Sequence, residues 1–292
     1  MNSFAFEDVS AYGVLKKSFT NTNIDKAVEE INNIGYSVIH SGLKDVEINT
    51  IANQFDLLHT QYIHTYGHHY LKNIDEQNTI RLPLAFDRCF LEIAANQVIL
   101  NILERLIVGQ FILNQQNGII NPAGEKYNQS AWHRDLPYQH FVSSRPIAVS
   151  ALFCVDDFTI ENGATYVLPA SHKHELFPSD TYILKNAIQT TAPAGSFIII
   201  DCMVFHRGGN NQTKKNRRAI NHVYTIPLIK QQIDIPATMS EENMSAHLRK
   251  LLGYKHKVSK TIDEFLKSRK IFSSFHASEA LTDSVDLSQN KT

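Results

Sequence analysis

The spacing of apolar residues changes near position 110 of this chain. Before that point they recur every three or four positions, and the clearest run contains Ile24, Ala27, Val28, Ile31 and Ile34. That period is typical of an amphipathic helix. After it, short runs rich in Val, Ile, Phe and Tyr alternate with clusters of Asn, Gly, Pro and Ser, as in strands joined by turns. Helices followed by strands predict an α+β protein in which helices pack on a β-sandwich or jelly roll.

The first predicted helix covers Thr22 to Ile34. Thr22 or Asn23 can cap its start, and Gly35 is suited to its end. The other predicted elements are helices over about Asp45–Leu58 and Phe90–Val108, a strand over 36–39, and core strands over Gln110–Gln115, Arg145–Val155, Ala164–Leu168, Gly195–Ile200 and Arg218–Leu228.

Helical spacing returns after about position 235, in Ala246–Leu252 and Ile262–Phe272. The chain has no internal repeat and no long linker, so a single domain is predicted. Its expected parts are a helical region over about 1–108, a core over about 109–230, a helical C-terminal extension over about 235–275 and a polar tail over 280–292.

Composition excludes several classes of protein. With 43% apolar and 20% charged residues, the chain of 292 residues can bury a substantial core and is not a disordered polymer. The 28 basic and 29 acidic residues leave a net charge of −1, so no global field directs the chain to nucleic acid or anionic lipid. The apolar runs near Ile147–Val155 and Phe197–Ile200 are far too short to span a bilayer. Neither nucleic acid nor a membrane is an expected partner.

The N-terminus and the cysteines predict a cytoplasmic location. Residues Met1–Asp8 lack the basic start and apolar core of a signal peptide. Cys89, Cys154 and Cys202 are odd in number, far apart and set in apolar surroundings. Buried free thiols in a reducing compartment explain them better than disulfides do.

Two residues able to ligate a metal stand two positions apart at His133 and Asp135. On an extended strand they project from the same face, and a second His would complete a 2-His-1-carboxylate set. His206 is the candidate, because it ends an apolar strand and precedes a glycine turn. On spacing alone, a structural residue at a strand end explains His206 better than a metal ligand does.

Arg217 follows His206 by eleven positions and opens the last predicted core strand. A buried guanidinium can bind a carboxylate through two hydrogen bonds, which Lys cannot reproduce. The alternative is that Lys214–Arg218 forms a solvated basic turn. Because successive strand residues point to opposite faces, Arg217 and Arg218 are not both expected to enter the core.

His133-x-Asp135, His206 and Arg217, with the run Glu161–His172 between them, resemble the phytanoyl-CoA dioxygenase family of Fe(II)- and 2-oxoglutarate-dependent oxygenases. The first helix and the run Gly35–Ile39 resemble the N-terminal element of that family. The resemblance extends over about residues 24–227. It implies a double-stranded β-helix core, the cupin-like form of the jelly roll, with helices packed on it.

The resemblance also implies roles for individual residues. His133, Asp135 and His206 are expected to ligate Fe(II), Arg217 to bind the distal carboxylate of 2-oxoglutarate, and Asn114 to make a further contact with that cosubstrate. Three ligands on one face of an octahedral metal leave three positions, enough for a bidentate 2-oxo acid and O2. The implied reaction is hydroxylation of a C–H bond in a small molecule, with release of succinate and CO2. The carboxylate at Asp135 argues against halogenation.

The chain departs from the family pattern at two positions. Gly208 stands two residues after the distal His, where Ser is frequent, so one hydrogen bond to the cosubstrate is expected to be missing. Ala170 stands where Gly is usual before Ser171 and His172, which is expected to tighten a turn.

Two other functions fit the same residues. They are a metal-dependent isomerase or epimerase on the same fold, and a non-catalytic module that binds a metal or ligand. Arg217 favours the oxygenase, because neither alternative requires a second buried carboxylate-binding group. Acyl thioesters, sugars, amino acids and secondary metabolites all fit as substrates.

Further predictions concern the sequence neighbours of the three candidate ligands and a separate cluster of histidines. Strand alternation turns Arg134 and Arg207 away from the metal, and Trp132 is expected to pack in the core. The loop beginning at Tyr138, Gln139 and His140 is expected to approach the substrate. The cluster of His59, His64, His68 and His69 is interpreted as partly exposed or as the rim of a pocket rather than as a metal site, since Gly67 interrupts the helical pair His64 and His68.

Overall fold

The computed structural model describes residues 10–136, 141–242 and 244–269. Its helices are α1 (Asn23–Ile34), α2 (Asp45–Tyr66), α3 (His68–Asn73), α4 (Arg88–Ala94), α5 (Gln97–Leu106), α6 (Asp180–Asn186), α7 (Ile235–Thr238) and α8 (Ala246–Leu251). Its strands are β1 (Tyr36–His40), β2 (Thr79–Arg81), β3 (Ile112–Asn121), β4 (Ala148–Cys154), β5 (Thr165–Val167), β6 (Ile188–Thr190), β7 (Ser196–Asp201), β8 (His206–Arg207) and β9 (Arg217–Thr225). A further helical stretch covers 262–269, while the predicted helical residues beyond it and the polar tail lie outside the described residues.

The ends of α1 lie where the sequence predicts them. The Thr22 hydroxyl accepts a hydrogen bond from the Asp25 N–H, and the Asp25 carboxylate accepts one from the Thr22 N–H, forming a capping box. At the other end Gly35 has a φ of 87° and closes the helix in the left-handed conformation. A Cβ at Gly35 would lie 2.3 Å from Cγ2 of Val204, so space as well as conformation requires glycine there.

Two other predicted helices have different bounds. The second continues past Leu58 because Tyr62 extends its buried stripe, and it ends at Gly67. The predicted third helix is divided into α4 and α5, because the side chain of Asn96 accepts a hydrogen bond from the Val98 N–H and so starts a new helix. Among the described residues, no helix has both the length and the apolar character needed to cross a membrane.

Two antiparallel sheets form the core. The larger has the strand order β1-β7-β4-β9-β3-β2, and the smaller has the order β6-β5-β8. Val167 of β5, Ile198 of β7 and Ala219 of β9 belong to one buried cluster, so the two sheets pack face to face. This confirms the predicted α+β jelly roll. The sequence pattern does not predict β2, β6, β8 or α6, which are too short to show a period.

Both faces of the larger sheet are buried, which explains its continuous apolar strands. On β7, Phe197 and Ile199 pack with the helices, whereas Ile198 and Ile200 face the smaller sheet. The inner face, between the sheets, is where the candidate site lies.

Strand β3 extends well past the predicted end at Gln115. Its polar residues are accommodated because they form hydrogen bonds inside the fold. The Gln116 side chain accepts from the Leu84 N–H at 2.7 Å and donates to the Phe90 carbonyl at 2.7 Å. Because several residues in the second half of β3 are polar, the apolar period alone does not predict that part of the strand.

The turn before Ser171 is strained. Ala170 has a φ of 61°, a left-handed conformation that L-residues other than glycine seldom adopt, and its N–H donates to the Ile34 carbonyl at 2.7 Å. This conformation gives a physical reason why glycine suits that position.

Candidate metal centre

His133 and His206 are brought together by backbone hydrogen bonds. The His133 N–H donates to the His206 carbonyl at 3.0 Å, and the reverse bond is also 3.0 Å, so the two residues form an isolated antiparallel bridge. Their ring centroids are 4.4 Å apart. The segment around His133 is therefore extended, as predicted, although it is not part of a longer strand.

The carboxylate of Asp135 completes the cluster. Its backbone N–H donates to the Cys202 carbonyl at 3.2 Å, and its Oδ1 lies 3.5 Å from Nε2 of His206. One ligand atom from each of His133, Asp135 and His206 lies within 4.8 Å of the other two. Within the described part of the chain, no other group of His, Cys, Asp and Glu is close enough to hold a metal ion.

Backbone carbonyls orient both imidazoles. Nδ1 of His133 lies 2.8 Å from the Ala131 carbonyl, and Nδ1 of His206 lies 3.0 Å from the Val204 carbonyl. Because a carbonyl only accepts, Nδ1 carries a proton in each ring, which leaves Nε2 as the nitrogen that can ligate a metal. This is the usual arrangement of a metal-ligating histidine.

The electrostatics favour the ligating protonation states of Asp135 and His133. Burial raises the pKa of Asp135, but the attraction of His206 and His133 and a hydrogen bond from His206 lower it to about 2. Burial and the neighbouring His206 lower the pKa of His133. Burial also lowers the pKa of His206, yet the attraction of Asp135 outweighs it and raises the net value. A cation in this cluster would take the place of the proton that His206 shares with Asp135.

The cluster lies at one wall of a pocket between the two sheets. Its lining residues are Ile119, Tyr127, Gln129, His133, Asp135, Ser150, Leu152, Thr165, Ile200, His206, Arg207, Gly208, Arg217, Ala219 and Asn221. Sequence reasoning missed Tyr127, Gln129, Ser150 and Asn221. Asn221 was detectable, because it shares its strand face with Arg217, and its Oδ1 accepts from the Ser150 hydroxyl at 2.6 Å.

Arg217 is a buried cation in this pocket. It is 3% exposed, and its guanidinium carbon lies 3.8 Å from the centroid of the Phe158 ring. Burial lowers its pKa, but arginine stays charged in proteins. Its Nε and Nη1 atoms have no hydrogen-bond partner among the described residues. Since buried charges are normally paired, this geometry fits an anion bound in the pocket.

Arg218 points to the opposite face of β9, as strand alternation predicts. Its Nη2 lies 2.6 Å from Oδ1 of Asp156, its Nη1 lies 2.8 Å from Oδ2 of Asp56, and Nη1 also donates to the Ala52 carbonyl at 3.0 Å. Arg218 is therefore not part of a solvated basic turn. It is half-buried and ties β9 to α2.

Asn114 does not reach the pocket. It is the extra residue of a β-bulge between Leu113 and Gln115. Its amide nitrogen donates to the carbonyls of Ile229 at 3.3 Å and Lys230 at 3.0 Å. The bulge turns the side chain towards residues 229 and 230 instead of the pocket.

Arg134, Arg207 and Trp132 lie as predicted. The Arg134 guanidinium donates to backbone carbonyls, among them that of Met203 at 2.7 Å, and so holds the turn before His206. The guanidinium of Arg207 lies 4.6 Å from the Tyr166 ring and 5.5 Å from the Trp132 ring, although Arg207 also borders the pocket. Trp132 packs against a buried apolar cluster.

The remaining sequence candidates do not join the site. His64 lies on α2 and His68 on α3, on either side of Gly67, and both are exposed. The predicted substrate loop residues Tyr138, Gln139 and His140 lie outside the described residues.

Comparison with known proteins places this geometry in a family. The family model "Phytanoyl-CoA dioxygenase (PhyH)" matches residues 31–219, which include all three residues of the cluster and Arg217. The chain belongs to the phytanoyl-CoA dioxygenase family. This confirms the resemblance seen in the sequence and identifies an enzyme of the oxygenase class.

Relatives of this family differ in how well they are understood. An uncharacterized protein of Mycobacterium tuberculosis is 29% identical over 253 residues, covering 84% of this chain and 92% of its own. The dioxygenase olcK of Penicillium canescens is 29% identical over 164 residues, 52% of each protein.

Solved structures share the fold. EctD from S. alaskensis, solved with 2-oxoglutarate and 5-hydroxyectoine, has a TM-score of 0.60 at 18% identity and covers 80% of this chain and 89% of its own. The epimerase SnoN, solved with Fe3+, alpha ketoglutarate and nogalamycin RO, has a TM-score of 0.56 at 15% identity, with 76% and 91% coverage. Iron and 2-oxoglutarate, the cofactors predicted from the sequence, are bound by these structural neighbours.

Proposed function

We propose that this protein is an Fe(II)- and 2-oxoglutarate-dependent dioxygenase that hydroxylates an unactivated C–H bond of a small molecule and releases succinate and CO2. The observation that carries the proposal is the pairing of two features in one pocket. The first is a His-Asp-His cluster in which Nε2 of each imidazole is left to ligate a metal, and the second is Arg217, a buried cation with two nitrogen atoms that have no hydrogen-bond partner among the described residues.

The chain's own residues fit both ends of 2-oxoglutarate. His133, Asp135 and His206 would hold iron on one face and leave positions for the 2-oxo acid end. Arg217 would bind the distal carboxylate, which would neutralise a buried charge that forms no salt bridge within the described part of the chain. Iron with a bound 2-oxo acid supplies O2 activation in this class of enzymes.

The apolar residues around the cluster would limit the access of water. Ile119, Leu152, Ile200 and Ala219 line the same pocket as the cluster residues and Arg217. A dry, apolar wall strengthens the charge interactions in the pocket and protects a reactive centre from side reactions.

Anaerobic titration tests the proposal. Adding Fe(II) and then 2-oxoglutarate to the metal-free protein should produce a weak charge-transfer band in the visible, and admitting O2 with a substrate should release succinate. A metal-dependent isomerase that uses no 2-oxo acid, or a binding module, should give neither signal. The absence of both from a folded, iron-loaded protein would contradict the assignment.

The product separates hydroxylation from epimerisation within the oxygenase class. Candidate acyl thioesters, sugars, amino acids and secondary metabolites can be screened for stimulated succinate release. Mass spectrometry of the product should then show one added oxygen atom, derived from O2. A product isomeric with its substrate would instead favour the epimerase.

Replacing Cys202 tests whether a thiol next to the His-Asp-His cluster takes part in turnover. The three cysteines are free, as predicted, and Cys202 is fully buried with its Sγ 3.9 Å from Oδ2 of Asp135. Burial and Asp135 raise the pKa of its thiol well above the usual range, so it stays neutral. We expect Cys202→Ser to keep near-normal turnover with a loss of about 1 kcal/mol in unfolding free energy. Succinate release and thermal melting check this, and a folded but inactive variant would refute it.

A further inference from the structure

Gly208 and Tyr127 fit together inside the pocket. An ideal Cβ built on Gly208 would lie 2.0 Å from the Tyr127 hydroxyl oxygen and 2.8 Å from its Cζ. The φ of Gly208 is not in the positive range, so its backbone would accept other residues. The Tyr127 phenol therefore excludes a side chain at position 208, because it fills the volume that such a side chain would occupy.

The backbone holds Tyr127 in this place. Tyr127 is 7% exposed and directly precedes the short helical turn 128–130. In this turn the Ser130 N–H donates to the Tyr127 carbonyl at 3.0 Å. The Gly208 N–H donates to the Gln129 carbonyl at 2.7 Å, which joins that turn to the segment after His206. Two backbone hydrogen bonds thus hold the segment that carries the phenol beside the site.

Tyr127 and Arg217 line the same pocket. Burial raises the pKa of Tyr127, and the neighbouring charge of Arg217 opposes that rise. A guanidinium can only donate, so towards Arg217 the phenol oxygen can only accept, and its own O–H remains to be donated.

We propose that Tyr127 is a cosubstrate-positioning residue whose hydroxyl donates a hydrogen bond to the carboxylate bound by Arg217. It thereby supplies from a distant segment the hydrogen bond that a hydroxyl side chain at position 208 would otherwise give. The inference rests on the proposed function, because it takes the anion to be the distal carboxylate of 2-oxoglutarate. It replaces the expectation, drawn from Gly208 alone, that this hydrogen bond is missing.

Anaerobic titration of 2-oxoglutarate into the iron-loaded protein tests the proposal. Tyr127→Phe keeps the ring and removes only the hydroxyl, and we expect it to weaken 2-oxoglutarate binding about tenfold or more, since a hydrogen bond to a charged group is lost. The matched control is Tyr182→Phe on the exposed face of α6, which should bind 2-oxoglutarate like the wild type. Thermal melting of each variant verifies folding.

A 2-oxo acid without the distal carboxylate shows whether Tyr127→Phe removes a contact with that carboxylate or disturbs the pocket as a whole. In 2-oxopentanoate a methyl group replaces the distal carboxylate, so its affinity should be the same for the wild type and Tyr127→Phe. An equal loss of affinity for both acids would show that the hydroxyl acts only on the shape of the site and would overturn the proposal.

Moving the hydroxyl provides a rescue experiment. Gly208→Ser alone should weaken 2-oxoglutarate binding, because its Cβ meets the phenol. Tyr127→Leu should also weaken binding. The double variant Tyr127→Leu with Gly208→Ser should recover part of that loss, since the new hydroxyl enters the vacated volume. A wild-type protein that binds no 2-oxoglutarate would refute the proposed function, whereas unchanged affinity in Tyr127→Phe would refute this inference alone.

Discussion

His133→Ala, Asp135→Ala and His206→Ala are each expected to abolish turnover while leaving the fold largely intact. Each removes one ligand of a three-ligand cluster, and within the described part of the chain no fourth ligand is placed to substitute. The fold should survive, because the contacts that join His133 to His206 and Asp135 to Cys202 are made by backbone atoms. Succinate release under limiting Fe(II), with circular dichroism and thermal melting of each variant, measures both parts of this expectation.

His68→Ala is the matched control for the ligand variants. His68 is exposed on α3 and belongs to no metal-binding group among the described residues. Its replacement should leave iron binding and turnover unchanged. Near-normal activity in any of the three ligand variants at limiting iron would show that the ligands are assigned wrongly.

Arg217→Ala should weaken 2-oxoglutarate binding by roughly 30-fold or more, because truncating one partner of a buried charge pair costs about 2–5 kcal/mol. Arg217→Lys should recover only part of that loss, since the ammonium cannot form the two parallel hydrogen bonds of a guanidinium. Anaerobic titration of iron-loaded variants measures both effects. Affinity that is unchanged in Arg217→Ala would mean that the anion site lies elsewhere.

Arg218→Ala is the neighbouring control on the same strand. It should leave 2-oxoglutarate affinity close to that of the wild type, because Arg218 faces α2 rather than the pocket. It should lower the melting temperature, however, since it breaks the interactions with Asp156 and Asp56. Loss of 2-oxoglutarate binding in Arg218→Ala, with Arg217→Ala unaffected, would contradict the placement of the two residues on β9.

Local features of the fold follow from the sequence because they depend on residues that are near neighbours in the chain. The capping box at Thr22 and the left-handed Gly35 bound α1 through contacts within a few positions. The same is true of His133 and Asp135, whose shared face follows from strand alternation. The change of apolar period predicts helices packed on a jelly roll.

Only the tertiary structure shows which side chains of the sheet face the pocket and which face the helices. The strand β9 is apolar on both sides, with Ala219 between the sheets and Ile220 against the helices, so its pattern does not tell which arginine enters the pocket. Packing of the helices on the outer face leaves Arg217 inside and pairs Arg218 with acidic residues. The alternation of side chains along β3 does not predict where Asn114 points, because a bulge interrupts the strand at that residue.

Contacts between distant segments also could not be predicted from the sequence. Nothing in the run around Tyr127 distinguishes it from an ordinary loop tyrosine, and Gly208 by itself indicates only that a side chain is absent. The relation between them is a matter of shape: a phenol and a missing side chain occupy one volume beside Arg217. Sequence patterns record the local period of a chain, whereas such a fit exists only after folding has brought segments about 80 residues apart into contact.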